Sequence, residues 1–361
     1  MRVAVACGGT GGHIFPGLAT ARALSERGHH VTLWMAGKDV ESQAVQGWSG
    51  DLVTVPARGL PSGFSLRSIA GAWKLIRAIS NVRAIMKNQR PDVLLAMGSY
   101  ASVGPVGAAI RLGVPYVLHE ANVVPGRAVK LLARRAAAVA GCFEETRFYL
   151  RKSNLIVTGM PLRRELMEIR PVEHKTGAPP HILVMGGSRG AHALNELAPA
   201  ALTGLRAKGL SFKVTHLTGE KDYAAVSGVY REAGVSASVM PFTHDMGSIY
   251  AATDFALCRA GAATCAELLR FGIPSLLVPY PHAIHDHQTH NARAMEKAGA
   301  ADMVPEADIT REWLCSYLEQ MITRDEARAR MSKAARVRSS EDGAVALANL
   351  VETVARNHAS S

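Results

Sequence analysis

A short apolar strand, Arg2 to Cys7, runs straight into Gly8-Gly-Thr-Gly-Gly-His13, and no other feature limits the fold of this chain so tightly. The stretch from Ile14 to Arg27 has helical character and stops at Gly28. A strand, a glycine turn and a helix N-terminus together make an anion site. The first backbone N–H groups lack partners, and the helix dipole is positive there. Glycine lets the backbone approach a ligand closely. His13 stands at the mouth of that site.

The turn does not fit a nicotinamide dinucleotide. A G-x-G-x-x-G fingerprint starting at Gly9 requires glycine at position 14, where the chain has Ile14. It also requires an acidic residue at the end of the second strand to hold the ribose. That strand, Val31 to Met35, ends in Ala36-Gly37.

Strand-like and helical stretches alternate from there. Strands are expected at 2–7, 31–35, 52–55, 93–97, 115–118, 138–141 and 155–157. Helices are expected at 14–27, 39–46, 66–89, 105–112, 125–135 and 145–150. Residues 159–180 lose the rhythm and read as a linker. At His181 the pattern restarts with strand, glycine turn (Gly186-Gly-Ser-Arg-Gly-Ala191) and helix 191–207, then strands 212–217, 236–240, 254–258 and 275–278. The fold class is therefore α/β, with two Rossmann-like doubly wound domains facing across a cleft, a GT-B glycosyltransferase architecture. The expected domains are 1–160 and 161–342, with a last helix near 343–361 packing back on the first. Sugar-nucleotide epimerases and periplasmic binding proteins share such an architecture, so it does not fix the function.

The formal charge of +11 over 361 residues points to an acidic partner. Aromatic residues make up only 6%, without the basic–aromatic interleaving that stacks bases, so no nucleic acid is expected. The five cysteines (Cys7, Cys142, Cys258, Cys265, Cys315) are scattered and lack metal spacing, which suits a reducing cytoplasm. Val93 to Ile110 is uncharged and long enough to span a membrane, but Gly98, Ser99, Gly104 and Pro105 break it into strand, loop and helix start. The N-terminus enters a strand at once, so no signal peptide is expected.

A second constellation lies at 254–267. A strand ends at Cys258, Arg259-Ala-Gly261 turns the chain, and a helix starts near Ala262, whose first N–H groups can hold a diphosphate. Glu267 reads either as the acceptor of both ribose hydroxyls or as a carboxylate favoured by the helix dipole. Farther on, His282, His285, Asp286, His287 and His290 resemble a metal cluster. The prolines there give no fixed face, and the chain lacks an Asp-x-Asp pair, so no metal or other cofactor is expected. Gln288 is the better contact, to a sugar hydroxyl. Arg163, at the linker, reads either as a bidentate phosphate contact or as a solvated linker charge.

Six motifs then fall in order: the first glycine turn with Pro16, Gly98 to Ser102, His119-Glu-Ala-Asn122, the turn at 186–191, the Glu267 region, and Gln288 to Asn291. Together they resemble the MurG family, the UDP-N-acetylglucosamine transferases of peptidoglycan synthesis. The resemblance implies transfer of N-acetylglucosamine, with inversion, to the 4-hydroxyl of the muramyl sugar of lipid I, a muramyl pentapeptide on undecaprenyl diphosphate. The product is lipid II, made on the cytoplasmic face of the inner membrane. Ser99 and Val103 depart from the family's second glycine loop, and His287 replaces one of a glutamine pair.

By the same resemblance, Thr10, Gly11, Gly12 and Asn122 meet the transferred sugar, Arg163 and Ser188 the phosphates, and Thr243 the uracil, near Phe242 and Met246. Ala262, Ala263, Thr264, Cys265, Ala266 and Glu267 hold phosphate and ribose, and Gln288 the sugar. Gly9, Tyr100, Ser102 and His119 lie on the acceptor side. His13 is the first candidate for general base, or else caps the helix or donates to the acceptor diphosphate. Glu120 is its rival, and His119 is expected to orient Glu120 and Asn122.

Residues 52–91 hold no Asp or Glu but seven basic residues, all within 58–90, and Ile69, Ala72, Trp73, Ile76 and Ile79 share one helical face. A second acid-free stretch, 121–143, adds Arg127, Lys130, Arg134 and Arg135. The first reads either as a core helix with a solvated basic back or as a membrane-surface helix, and the two together suit peripheral attachment to an anionic membrane surface. The competing functions are a transferase acting on diacylglycerol, a sugar-nucleotide epimerase and a sugar-nucleotide binding protein.

Overall fold

The computed structural model describes residues 1–37, 45–55, 79–170, 177–187, 190–339 and 342–360. Most of the expected helices at 39–46 and 66–89, and Ser188, lie outside the described residues. The chain divides into two compact units, Met1–Arg163 with Ser340–Ser361, and Arg164–Ser339.

The first unit is built on a parallel sheet of seven strands: β1 (Arg2–Ala6), β2 (His30–Ala36), β3 (Asp51–Val55), β4 (Val93–Ala96), β5 (Tyr116–Glu120), β6 (Ala138–Gly141) and β7 (Leu155–Val157). Their order is β3-β2-β1-β4-β5-β6-β7. A parallel sheet buries both faces, which is why β4, Val3–Ala6 of β1 and Tyr116–Leu118 of β5 read as apolar runs. The chain runs outward from β1 to β3, then returns to place β4 on the other side of β1. The crevice beyond the C-terminal ends of β1 and β4 is thus the topological switch point, where doubly wound sheets bind ligands.

The second unit repeats this plan with β8 (His181–Met185), β9 (Lys213–Leu217), β10 (Ala237–Met240), β11 (Phe255–Cys258), β12 (Ser275–Leu277) and β13 (Ala301–Met303). Their order, β10-β9-β8-β11-β12-β13, puts the switch point between β8 and β11. Strand β13 was not expected. It has three residues, one of them Asp302, too few for an apolar run to show.

Other differences are local. The first helix spans Gly11–Glu26, three residues earlier than expected, because Thr10 in an extended conformation caps a turn whose low-propensity glycines mask the helix in sequence. The expected helix at 145–150 is a 3-10 turn, Glu144–Phe148. That at 125–135 is a helix, Arg127–Leu132, continued by a 3-10 turn to Arg135. The expected linker contains a short helix, Arg164–Glu168.

The helix Gly343–Ala359 belongs to the first unit. Its Leu347, Ala348 and Val351 are buried with Leu18, Ala21 and Leu24 of the first helix and Val3 and Val5 of β1. Asp342 caps it by accepting the N–H of Ala344 at 2.9 Å. Arg27 donates to Asn349 at 2.8 Å, and Glu352 pairs with Arg27 and His29.

Candidate functional site

In the first unit, three segments converge beyond β1, β4 and β5. The turn after β1 exposes Gly9, Thr10 and Gly12, and the N–H groups of His13 and Ile14 close on the Thr10 carbonyl. No acidic side chain occupies the first turn of that helix, so its positive end is not neutralised locally. Gly98, at φ +80°, turns the chain after β4. A Cβ there would lie 2.6 Å from the His119 carbonyl oxygen, so the turn can press against β5 only as glycine. Ser99 then accepts the N–H of Ala101, Tyr100 is half exposed, and Ser102 is fully buried. The Ser102 hydroxyl and Nδ1 of His13 are enclosed polar atoms without a hydrogen-bond partner, and both adjoin the helix ends at the switch point. Ser99 and Val103, the two departures noted in sequence, thus cap a 3-10 turn and begin the helix Val103–Leu112.

Glu120 ends β5 and is buried. Its Oε1 accepts the Asn122 N–H at 3.0 Å, and its Oε2 accepts the Gly126 N–H at 2.9 Å. Burial raises its pKa against those hydrogen bonds, which favour the ionised form. These amides, rather than His119, orient the carboxylate. The His119 ring instead sets Nε2 3.5 Å from Sγ of Cys142. Burial pulls the His13 pKa down to about 4, and burial with the nearby His13 pulls His119 to about 3. Both rings are neutral at pH 7. Arg163 lies in this unit, its guanidinium 5.4 Å above the ring of Phe15 on the first helix.

In the second unit, two helix N-termini flank β8 and β11. The turn after β8 includes Gly190 at φ +74°, where a Cβ would collide with the Thr218 carbonyl oxygen. Asn195, on the helix His192–Ala207, pins this region by donating to the Thr218 carbonyl at 2.8 Å and to Asp222 at 2.7 Å. Buried His216 holds Asn195 in turn, bridging its Oδ1 and the Tyr230 hydroxyl. After β11, Gly261 caps the helix Ala262–Phe271, which carries no acid in its first turn. Glu267 sits on the second turn, too deep for the dipole reading, since that effect fades within one turn. The Tyr250 hydroxyl donates to its Oε2 at 2.7 Å. In the loop after β10, Thr243 accepts the Asp245 N–H, and Phe242 stands exposed beside His244.

Gln288 has a role that sequence reading missed. Its Oε1 accepts the N–H groups of both Ala260 and Tyr280, at 3.2 and 3.0 Å, which turns the amide nitrogen the other way. Arg259 and Glu306 were missed as well, and no local signal marks them. They pair across 47 positions of chain. Among the described residues, no group of three or more His, Cys, Asp or Glu could hold a metal ion. None of their helices is long and apolar enough to cross a membrane.

The sequence matches the glycosyltransferase family 28 N-terminal domain over residues 3–141 and the family's C-terminal domain over 181–347. A protein of Shewanella oneidensis named UDP-N-acetylglucosamine--N-acetylmuramyl-(pentapeptide) pyrophosphoryl-undecaprenol N-acetylglucosamine transferase is 40% identical over 341 residues, covering 93% of this chain and 92% of the relative. One of the same name from Shewanella denitrificans is 38% identical, covering 98% and 97%. Among solved structures, MurG of Acinetobacter baumannii superposes with a TM-score of 0.81 at 27% identity, over 98% of this chain and 99% of that one. A putative UDP-N-acetylglucosamine 2-epimerase from Listeria monocytogenes shares the fold alone, at TM-score 0.71 and 14% identity, over 100% and 97% of the two chains.

Proposed function

Since the chain belongs to glycosyltransferase family 28 and, within it, to the MurG transferases, we propose that its two switch points hold the two substrates of that reaction. The protein transfers N-acetylglucosamine from UDP-N-acetylglucosamine to the muramyl sugar of lipid I, forming lipid II. The observation that carries this reading is similarity along the whole length, at about 40% identity, to relatives named for that transfer. The epimerase likeness extends to the fold only.

The second unit takes the donor. The helix N-termini after β8 and β11 meet the diphosphate, Glu267 the ribose, the backbone at Thr243 the uracil, and Gln288 the sugar through its amide nitrogen, the oxygen being held by the backbone. The first unit takes the acceptor. The lipid diphosphate lies against the helix N-termini at Gly11 and Val103, which carry no acidic side chain in their first turns. Arg163 neutralises charge on the departing UDP, so the leaving group is stabilised by protein donors without a metal.

Inversion requires in-line attack by the acceptor hydroxyl and removal of its proton. His13 accepts that proton. Its ring is neutral at pH 7, and the hydroxyl grows more acidic as its bond to the anomeric carbon forms. Both oxygens of Glu120 hold backbone amides, so Glu120 shapes the loop that carries Asn122 instead.

The protein attaches peripherally to the cytoplasmic face of the membrane through residues 58–90 and a second basic surface. In the latter, Leu131 and Phe148 are 64% and 68% exposed, Lys130 lies over the Tyr149 ring, and the acid-free stretch 121–143 also carries Arg127, Arg134 and Arg135.

The test is UDP release from UDP-N-acetylglucosamine in EDTA, with a lipid I analogue or diacylglycerol as acceptor. Release with the analogue alone is expected. Release with diacylglycerol alone overturns the acceptor, and no release with either overturns the transferase.

A further inference from the structure

We propose that Arg259 is a positioning residue for sugar recognition, acting through Gln288; this rests on the reading of residues 260–267 and Gln288 as donor contacts. Arg259 leaves the end of β11 and is 8% exposed. Its Nη1 donates to the carbonyls of Val278 and Pro279, each at 3.2 Å, and its Nη2 pairs with the Glu306 carboxylate. Its guanidinium lies 5.6 Å over the Tyr280 ring. One side chain therefore ties together the segments that follow β11, β12 and β13.

The same segments are tied again from the helix His287–Lys297. Gln288 accepts the N–H of Ala260 and of Tyr280, and Asn291, one turn later, donates to the Ala260 carbonyl at 3.1 Å. Both peptide groups of Ala260 are thus gripped just ahead of the phosphate-binding helix. The orientation of the Gln288 amide depends on where Tyr280 lies, and Tyr280 lies where Arg259 holds Val278 and Pro279. An arginine fork can reach two carbonyls and a carboxylate together, whereas a lysine ammonium is a single point donor. The position of the Gln288 amide nitrogen, and with it the grip on the sugar, follows from that fork.

Two variants separate this role from folding. Arg259→Lys keeps a positive charge opposite Glu306 but loses the fork. Arg259→Met with Glu306→Leu removes the buried pair as a unit, a replacement that buried ion pairs often tolerate. Dissociation constants for UDP and for UDP-N-acetylglucosamine are measured by calorimetry, with melting temperatures alongside. UDP affinity is expected to stay within about twofold of the unaltered protein, while the sugar nucleotide binds about tenfold more weakly. Adding either change to Gln288→Ala is expected to shift the ratio no further. An unchanged ratio in both variants overturns the proposal, and so does an equal loss for both nucleotides, which is what a loosened fold gives. Failure of the donor reading looks different: the unaltered protein then binds neither nucleotide, and the proposal falls with it.

Discussion

The Tyr250 hydroxyl donates to Oε2 of Glu267 at 2.7 Å, from a ring only 2% exposed. This bond holds the carboxylate one turn below the N-terminus of the helix Ala262–Phe271. If Glu267 accepts ribose hydroxyls, Tyr250→Phe lets the carboxylate swing. Binding of UDP should weaken by roughly 1 kcal/mol, about fivefold, while 2′-deoxy-UDP, already lacking one contact, should lose less. Calorimetry with both nucleotides checks this. Equal losses would remove the ribose from the site.

His13 and Glu120 separate by kinetics. His13→Ala removes the proton acceptor, and kcat should fall by about 10² to 10⁴ with the KM for the donor little changed. Glu120→Gln sets an N–H₂ group against one of two amides that need an acceptor. It should disturb the Asn122–Gly126 loop, lowering stability and raising KM as well as lowering kcat. A Glu120→Gln enzyme with normal melting and normal KM but no turnover would make Glu120 the base.

Acid should loosen the second unit through His216. Burial pulls this histidine from 6.5 to about 3. The unfolded chain takes up the proton near pH 6.5, and the folded site refuses it until far lower. The stability that the neutral ring supplies is complete above pH 6.5 and is lost as the pH falls toward 3. The slope is at most about 1.4 kcal/mol per pH unit for one group. Urea melts between pH 7 and pH 4 should show a shallower decline in His216→Gln, even though that variant is weaker at neutral pH.

The parallel sheets were legible because strands buried on both faces spell themselves as apolar runs between helices. Among the described strands, only Ala301–Met303 was too short to register. The glycine turns were legible because only glycine fits where Gly98 meets a carbonyl and Gly190 meets another. The grip of side chains on distant backbone was not. Arg259 to Glu306 and Gln288 to Ala260 join positions 47 and 28 apart. An arginine or glutamine that holds a loop looks in sequence like any other. Gln288 was legible as a polar contact, but it was expected in a solvated loop and lies in the first turn of the helix His287–Lys297, its carbonyl already committed to the backbone.

Membrane attachment predicts a division of effects. Trp73→Glu, in the basic stretch 58–90, should reduce binding to liposomes rich in anionic lipid and leave UDP affinity unchanged. Phe148→Glu should do the same from the surface that carries Lys130 and Leu131. Cosedimentation at low and high salt measures both, since attraction to the leaflet weakens with screening. Binding unchanged in both variants would remove the membrane surface from this reading.

The helix Gly343–Ala359 fills the core of the unit that begins at Met1. During synthesis, the first seven strands therefore leave the ribosome without the element that seals their sheet. The second unit, contained within Arg164–Ser339, is complete before they are. The half of the protein made first is finished last, and a nascent chain stopped short of Gly343 would offer chaperones and proteases a bare face of β1 and the first helix.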